Sequence, residues 1–246
     1  MSVNDILALH FKKEEFRMAE KIMIKCFSQT LTAPQWYRQF HVSDYTTLLH
    51  IPFSIILMSC VAIGATMAPN LSLNRLALSL IAVFCGLQAA HFLDEVKGHP
   101  WNTHISDRKL YTIAFSFLSI GVIIGIYLSI TVSLILTPFI LAIIFFPIAY
   151  SLELWQEKFH NFFWYGISGG FLVSLGSSLL QDQTLTMPAL LMAVAIGIHG
   201  KYLLILYQGT KSNATREISW TLLKGNVLVL MFTASALLAT KLLRLS

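Results

Sequence analysis

Four residues able to do chemistry fall within nine positions of one another: His91, Asp94, Glu95 and His99. They close a strongly apolar run. Ionisable groups at membrane depth are costly, which makes them functional candidates. On a helix, His91 and Glu95 are one turn apart and His91 and Asp94 three residues apart, so each pair shares a face. Gly98 and Pro100 predict the helix end, with His99 in the turn beyond it. A second cluster runs from Tyr150 to Asn161 and contains Glu153, Glu157 and His160. Glu157 and His160 have the Glu-x-x-His spacing that di-iron carboxylate bundles use, and Glu153 is one turn from Glu157. His199 lies about two turns inside a later apolar run, at roughly 1.5 Å per residue.

Carboxylates with imidazoles suit Fe, Mn or Zn, whereas carboxylates alone suit Mg²⁺. The expected ligands of a divalent metal are therefore His91, Asp94, Glu95, His99, Glu153, Glu157, His160 and His199. Asp94, Glu95 and Glu153 are the expected catalytic carboxylates. The plainer reading of a charged loop is solvation, and it covers Lys158 and Asn161 as well. His10, His41 and His104 read as surface groups.

These residues need a membrane bundle to position them. The chain has 246 residues, 56% of them hydrophobic and 12% charged, with a mean hydropathy of +0.68. Soluble domains carry about 25% charged residues. Seven apolar runs are long enough to span a bilayer, which takes about 20 residues each. They are expected near 46–67, 74–93, 110–130, 133–152, 162–181, 187–208 and 220–240. The fold class is thus an all-α polytopic membrane bundle of about seven helices, in one domain over 45–246. Residues 1–44 are expected to form an interfacial amphipathic segment, since Ile6, Leu9, Phe16 and Ile22 interleave with Lys12, Arg17 and Lys21. They do not pattern as a secretory signal. Pro138 and Pro147 are expected to kink the fourth span. Gly121 with Gly125, and Gly166 with Gly170, have the small-xxx-small spacing of close helix contacts.

Placing the N-terminus in the cytoplasm puts fourteen of the seventeen Lys and Arg residues on that side, leaving Arg75, Lys241 and Arg244 opposite. This is the positive-inside pattern. All eight histidines fall on the cytoplasmic half, so a site is expected to open there. Cys26, Cys60 and Cys85 show no disulfide or metal spacing. The net charge of +5 is juxtamembrane, with no basic segment interleaved with aromatics, so no nucleic-acid partner is expected.

The placing of these groups resembles the UbiA superfamily of intramembrane aromatic prenyltransferases, over about residues 45–240. In the family's first motif, Asn-Asp-x-x-Asp-x-x-x-Asp at the end of the second span, His91 takes the Asn place, Glu95 the next carboxylate's and His99 the last, with Asp94 one residue off. Tyr150 and Lys158-Phe-His160, followed by Gly166, Gly169 and Gly170, are similar in place to the family's Tyr-x-x-x-Lys-Arg element. The family's second Asp-x-x-x-Asp motif has no counterpart, since residues 202–216 contain no acid. The family also has nine spans. The resemblance implies transfer of a lipidic isoprenoid at a cytoplasm-facing cavity, with Mg²⁺ holding the diphosphate and Lys97, Arg108 and Lys158, with Lys109, assisting as its phosphate partners. The mixed His and carboxylate set keeps a membrane non-haem iron or zinc enzyme acting on a lipid open. A non-catalytic subunit of a larger assembly, or a bis-His haem carrier using His50, His91, His160 and His199, is the third alternative.

Overall fold

A backbone in hydrocarbon must satisfy its own polar groups, and an apolar run does so by closing into a helix. In the computed structural model, which describes residues 43–97, 99–155, 158–210 and 215–244 and all their side chains except those of Pro147 and Arg216, every long apolar run is helical. Seven helices are long and apolar enough to cross a membrane, and the described residues contain no strand. The protein is a polytopic helical membrane protein. The spans are α1 (Asp44–Thr66), α2 (Leu73–Val96), α3 (Asp107–Thr131), α4 (Leu134–Ser151), α5 (Phe162–Asp182), α6 (Met187–Gly209) and α7 (Glu217–Leu243). Each lies within a few residues of its expected position. Almost all of the expected amphipathic segment, with His10 and His41, lies outside the described residues, as does Glu157.

Helix α1 is the centre of the bundle, its most buried span, flanked by α2, α5 and α7. Its first turn, Asp44–Leu48, is capped by Ser43, and the helix restarts at Ile51 after His50 adopts a left-handed φ of 47°. Pro52 occupies the first turn after that break, where its missing N–H costs nothing. Helix α3 lies along α2, while α4 bridges α2 and α5. Pro138 does not kink α4. A 3-10 turn at Leu134–Leu136 leads into the α-helix at Thr137, and Pro138 sits in its first turn, where proline is accommodated.

The glycine pairs divide by role. In α5 the segment Gly166–Leu172 is a π-helical stretch packed on α6. A Cβ at Gly170 would lie 2.7 Å from the Ile196 carbonyl oxygen, and one at Gly166 would lie 2.6 Å from that of Gly197. Only glycine allows that approach. At the end of the bundle where α1 meets α2, Arg75 donates to the Leu180 and Gln181 carbonyls at 3.2 and 2.8 Å, and Lys241 donates to the Ala68 carbonyl at 2.6 Å. These cations sit against helix C-termini, where the macrodipole favours positive charge. The other end, where α2 hands over to α3 and α4 to α5, holds the described His, Asp and Glu residues except Asp182, which meets Asn70 at the first end, and is called the polar end.

Candidate functional site

Helix α2 separates its polar residues onto two faces. Gln88, His91 and Glu95 follow one another at i, i+3 and i+7 and turn toward α1 and the loop after α2. Ser79, Val83, Gly86, Ala90 and Asp94 step along another face at three- and four-residue intervals.

The α1-facing set is structural in its contacts. Gln88, fully buried, donates to the Leu49 carbonyl at 3.2 Å and the Ser54 hydroxyl at 3.1 Å. It thereby ties α2 to the break in α1. The His91 ring hydrogen-bonds the Leu48 backbone and lies 4.6 Å from the His50 ring, while its Nδ1 is buried without a hydrogen-bond partner. Around His50 stand Phe53, Trp101 and Tyr207, with ring centroids at 5.1, 4.1 and 5.8 Å. Glu95 is 0% exposed. One of its oxygens accepts from the Trp101 N–H at 2.9 Å, and the other accepts from the Thr103 N–H and hydroxyl at 2.7 and 2.8 Å. A buried carboxylate is tolerated where several donors replace its water. Glu95 therefore folds the loop after α2 back over the bundle and presses Trp101 between α1 and α6. His99 lies beyond the helix, with Nδ1 3.5 Å from Glu95 and Nε2 3.4 Å from Asp107. His104 pairs in the same manner with Asp44, at 3.4 Å.

The other face meets the second cluster. The ends of α2, α4 and α5 converge through Asp94 and Lys97; the contacts of His91 and Glu95 run to α1 and the loop. Lys97 Nζ is 3.3 Å from the Glu153 carboxylate and 3.3 Å from the Leu152 carbonyl. Asp94 lies close enough to Tyr150 and Tyr165 to act electrostatically on both hydroxyls. The Tyr150 and Tyr165 rings are 6.2 Å apart, and the His160 ring stacks on Tyr150 at 4.2 Å with Nδ1 3.1 Å from the Tyr150 carbonyl. Tyr165 also meets Phe53 at 6.4 Å. One chain of rings thus crosses the polar end from His91 through His50, Phe53, Tyr165 and Tyr150 to His160.

Below this rim is an apolar cleft of about 90 Å³ between α2, α3, α4 and α5, lined among others by Gly86, Gly121, Gly176, Phe139 and Ile143. A Cβ on Gly86 would meet nothing within 4 Å, so this glycine leaves open space instead of bringing helices together. From Gly86 the α2 face reaches Ala90 and then Asp94, two turns or roughly 12 Å along the axis. On α4 the face of Phe139 and Ile143 reaches Tyr150 seven residues on. Cleft and rim therefore lie along one seam of helix faces, with the cleft's lining ending at Gly86 and Ile144 and the polar groups beyond it.

The remaining candidates lie apart. His199 is half-buried in α6, its Nε2 without a hydrogen-bond partner, between Gly197 and Gly200 where α6 packs on α5. Arg108 and Lys109 begin α3 beside Tyr45 and Ser106. Lys158 is exposed. Among the described residues no three His, Cys, Asp or Glu side chains converge as a metal-ligand group. The structure adds Tyr165, Trp101, Tyr207 and Gly86 to the residues named from sequence. Their signal was faint: an aromatic in an apolar run reads as core.

Backbone strain gathers here too. Six described non-glycine residues have positive φ, and five of them (His50, His99, Asn102, Glu153 and Trp155) are at the polar end. Such conformations persist only where their surroundings over-determine them, and they cluster at functional sites. No family model, curated protein or solved structure matches this chain.

Proposed function

We propose that this protein is a UbiA-like membrane enzyme acting on a single-chain amphiphile of the isoprenoid type, with the tail in the cleft and the head at the polar end. The observation that carries this reading is the seam. An apolar cleft kept open by Gly86 lies on the same faces of α2 and α4 that carry, about two turns further on, Asp94 and Tyr150. Ligand sites are typically apolar with a few convergent polar groups, and a seam at membrane depth draws its occupant from the bilayer. The positive-inside pattern supports a cytoplasmic side for the polar end and the N-terminus. Asp94 would orient the head, with Tyr150 and Tyr165 as hydrogen-bonding partners.

The resemblance also implies a Mg²⁺-bound diphosphate, and the described residues turned to the seam do not fit one. Such a group takes carboxylates from both walls of its cavity. Glu95 commits both oxygens to the loop, Glu153 is paired with Lys97, and α6 from Tyr202 onward contributes no acid. No step is therefore routed through a metal.

Photocrosslinking tests the reading. A benzophenone-bearing farnesyl analogue, applied to the purified protein in nanodiscs, should label α2, α4 or α5. Gly86→Leu, which fills the cleft, should cut that labelling about tenfold. Labelling confined to the lipid-facing surfaces of α3 or α7, and indifferent to Gly86→Leu, would defeat the proposal.

A further inference from the structure

We infer that the loop between α4 and α5 is a foot set into the membrane: the rings of Trp155, Phe159 and Phe163 lie at the headgroup–acyl boundary of the leaflet at the polar end, with phospholipid as their partner. A loop that joins two spans ordinarily projects into water. This one doubles back. Glu153 and Trp155 both take left-handed backbone, with φ of 49° and 53°, and the chain turns down the outside of α4. The Trp155 ring comes to rest 5.8 Å from that of Phe145, and the Phe159 ring lies 5.6 Å from Phe145 and 5.9 Å from Phe146. Phe159 also meets Trp164 of α5 at 5.1 Å, and Trp164 stacks on Phe146 at 5.0 Å.

The depth of these rings follows from the helix they pack on. Phe145 is six residues before the end of α4 at Ser151, or roughly 9 Å below it. Helical side chains lean toward the N-terminus, here further into the membrane. The 18 residues of α4 rise roughly 27 Å, against about 30 Å of hydrocarbon, so the helix ends no higher than the headgroup boundary. Rings packed on Phe145 therefore stand below the headgroups, not above them. Yet Trp155 is 61% exposed and Phe163 59%. Apolar rings left uncovered at that level meet lipid, and an indole with its N–H at the interface is a favoured placement.

A backbone that enters such a layer must meet its own hydrogen-bonding needs. The Leu154 N–H donates to the Ala149 carbonyl at 3.0 Å, the Lys158 N–H to that of Trp155 at 3.3 Å and the Asn161 N–H to that of Phe159 at 3.0 Å. The Asn161 side chain donates to the Lys158 carbonyl at 2.9 Å and accepts from the Phe163 and Trp164 N–H groups at 3.0 and 3.2 Å, which closes the start of α5. Lys158, exposed between Trp155 and Phe159 in the chain, has the length to carry its ammonium out to the phosphates while its stem stays with the rings. The foot runs from Glu153, paired with Lys97, to His160, stacked on Tyr150, so its seating holds the rim at the same boundary.

The test places nitroxides on the full chain, with Cys26, Cys60 and Cys85 replaced, at Trp155→Cys and at Phe163→Cys, in nanodiscs of phosphatidylcholine and phosphatidylglycerol. Each label should collide with oxygen about twofold more, and with a water-soluble nickel chelate about twofold less, than a label at Ser106→Cys, an exposed position in the loop before α3. In the unsubstituted protein, a phospholipid carrying a diazirine near its headgroup should label the 152–164 peptide, and hydroxyl radicals generated in the water should spare Trp155. Nickel access at both positions equal to that at Ser106, oxidation of Trp155 by the aqueous radicals, or absence of lipid labelling in that peptide would put the loop in solvent and overturn the inference. Low collision with both reagents would show another protein surface over the rings and overturn it equally.

Discussion

Glu95 and Glu153 were alike as residues in the sequence, each an acid in a polar stretch that also holds a histidine, and their surroundings make them opposites. Glu95 is fully buried and accepts from three donors. Replacing it with Gln keeps the shape but sets an amide NH₂ against the donors that one oxygen had accepted, leaving buried N–H groups unsatisfied at about 1–3 kcal/mol. The side chain of Glu153 is 31% exposed and its Lys97 partner 47%, so the pair is worth at most about 1 kcal/mol. Glu95→Gln should therefore lower the unfolding free energy in detergent by about 1–3 kcal/mol and increase proteolysis in the 97–106 loop, whereas Glu153→Gln should change both little. Equal effects from the two variants would contradict the assignment of Glu95 as the loop's anchor. Trp101, which that loop delivers to the core at 7% exposure, adds a second measure. Trp101→Ala should cost about 3–5 kcal/mol through the cavity it leaves.

At the scale of the element, the glycines distinguish packing from space. Gly170 lies where α5 and α6 touch backbone to backbone, with Ile196 oxygen 2.7 Å and Gly197 Cα 2.8 Å from a would-be Cβ. Alanine there must push the helices apart, at about 1–3 kcal/mol. Gly86 has nothing within 4 Å, and Ala there gains helix propensity of about 0.5–1 kcal/mol. Gly170→Ala should thus destabilise the bundle in an SDS-unfolding titration while Gly86→Ala leaves it unchanged or stabilised. If both were equally damaging, the cleft would not be open in solution. The π-helical stretch around Gly170 belongs to the same contact: an extra residue per turn shifts the register of α5. Tyr165 precedes it at the polar end, and Val173 and Gly176 follow it in the cleft wall.

For the whole molecule, an odd number of spans puts the two described ends on opposite sides, and the loops alternate. Ser106 sits in the polar-end loop before α3 and Gln183 in the turn between α5 and α6; both are exposed. Cysteines introduced there, as Ser106→Cys and Gln183→Cys in a chain with Cys26, Cys60 and Cys85 replaced, should react with an impermeant maleimide from opposite sides. The proposed orientation has Ser106 inside. Reaction of both positions from one side would break the seven-span arrangement, and reaction of Ser106 from outside would invert the proposed orientation.

Span number, span limits and the gathering of polar chemistry at one end followed from composition and periodicity. Hydropathy is set by each residue's own side chain, and an apolar run in lipid has no alternative to helix. The ends of the second and fourth spans meet through the Lys97–Glu153 pair, since polar groups at helix mouths need partners. Which residues make that meeting was decided by the fold. His91 and Glu95 looked like a ligand pair because they share a helix face; that face turns out to serve α1 and the returning loop, while Asp94, 100° around the helix from Glu95, faces α4 and α5. One residue of helical rotation separates a loop anchor from a seam residue, and the spacing within a single helix carries no information about which neighbour lies on which side. The same holds for Gly86 and Gly170, identical in kind and separated in role by whether a second backbone stands in front of them. Tyr165 and Trp101 came from distant stretches of chain whose approach depends on the tertiary packing of α5 and on a buried carboxylate, and only the assembled bundle brings them to the polar end.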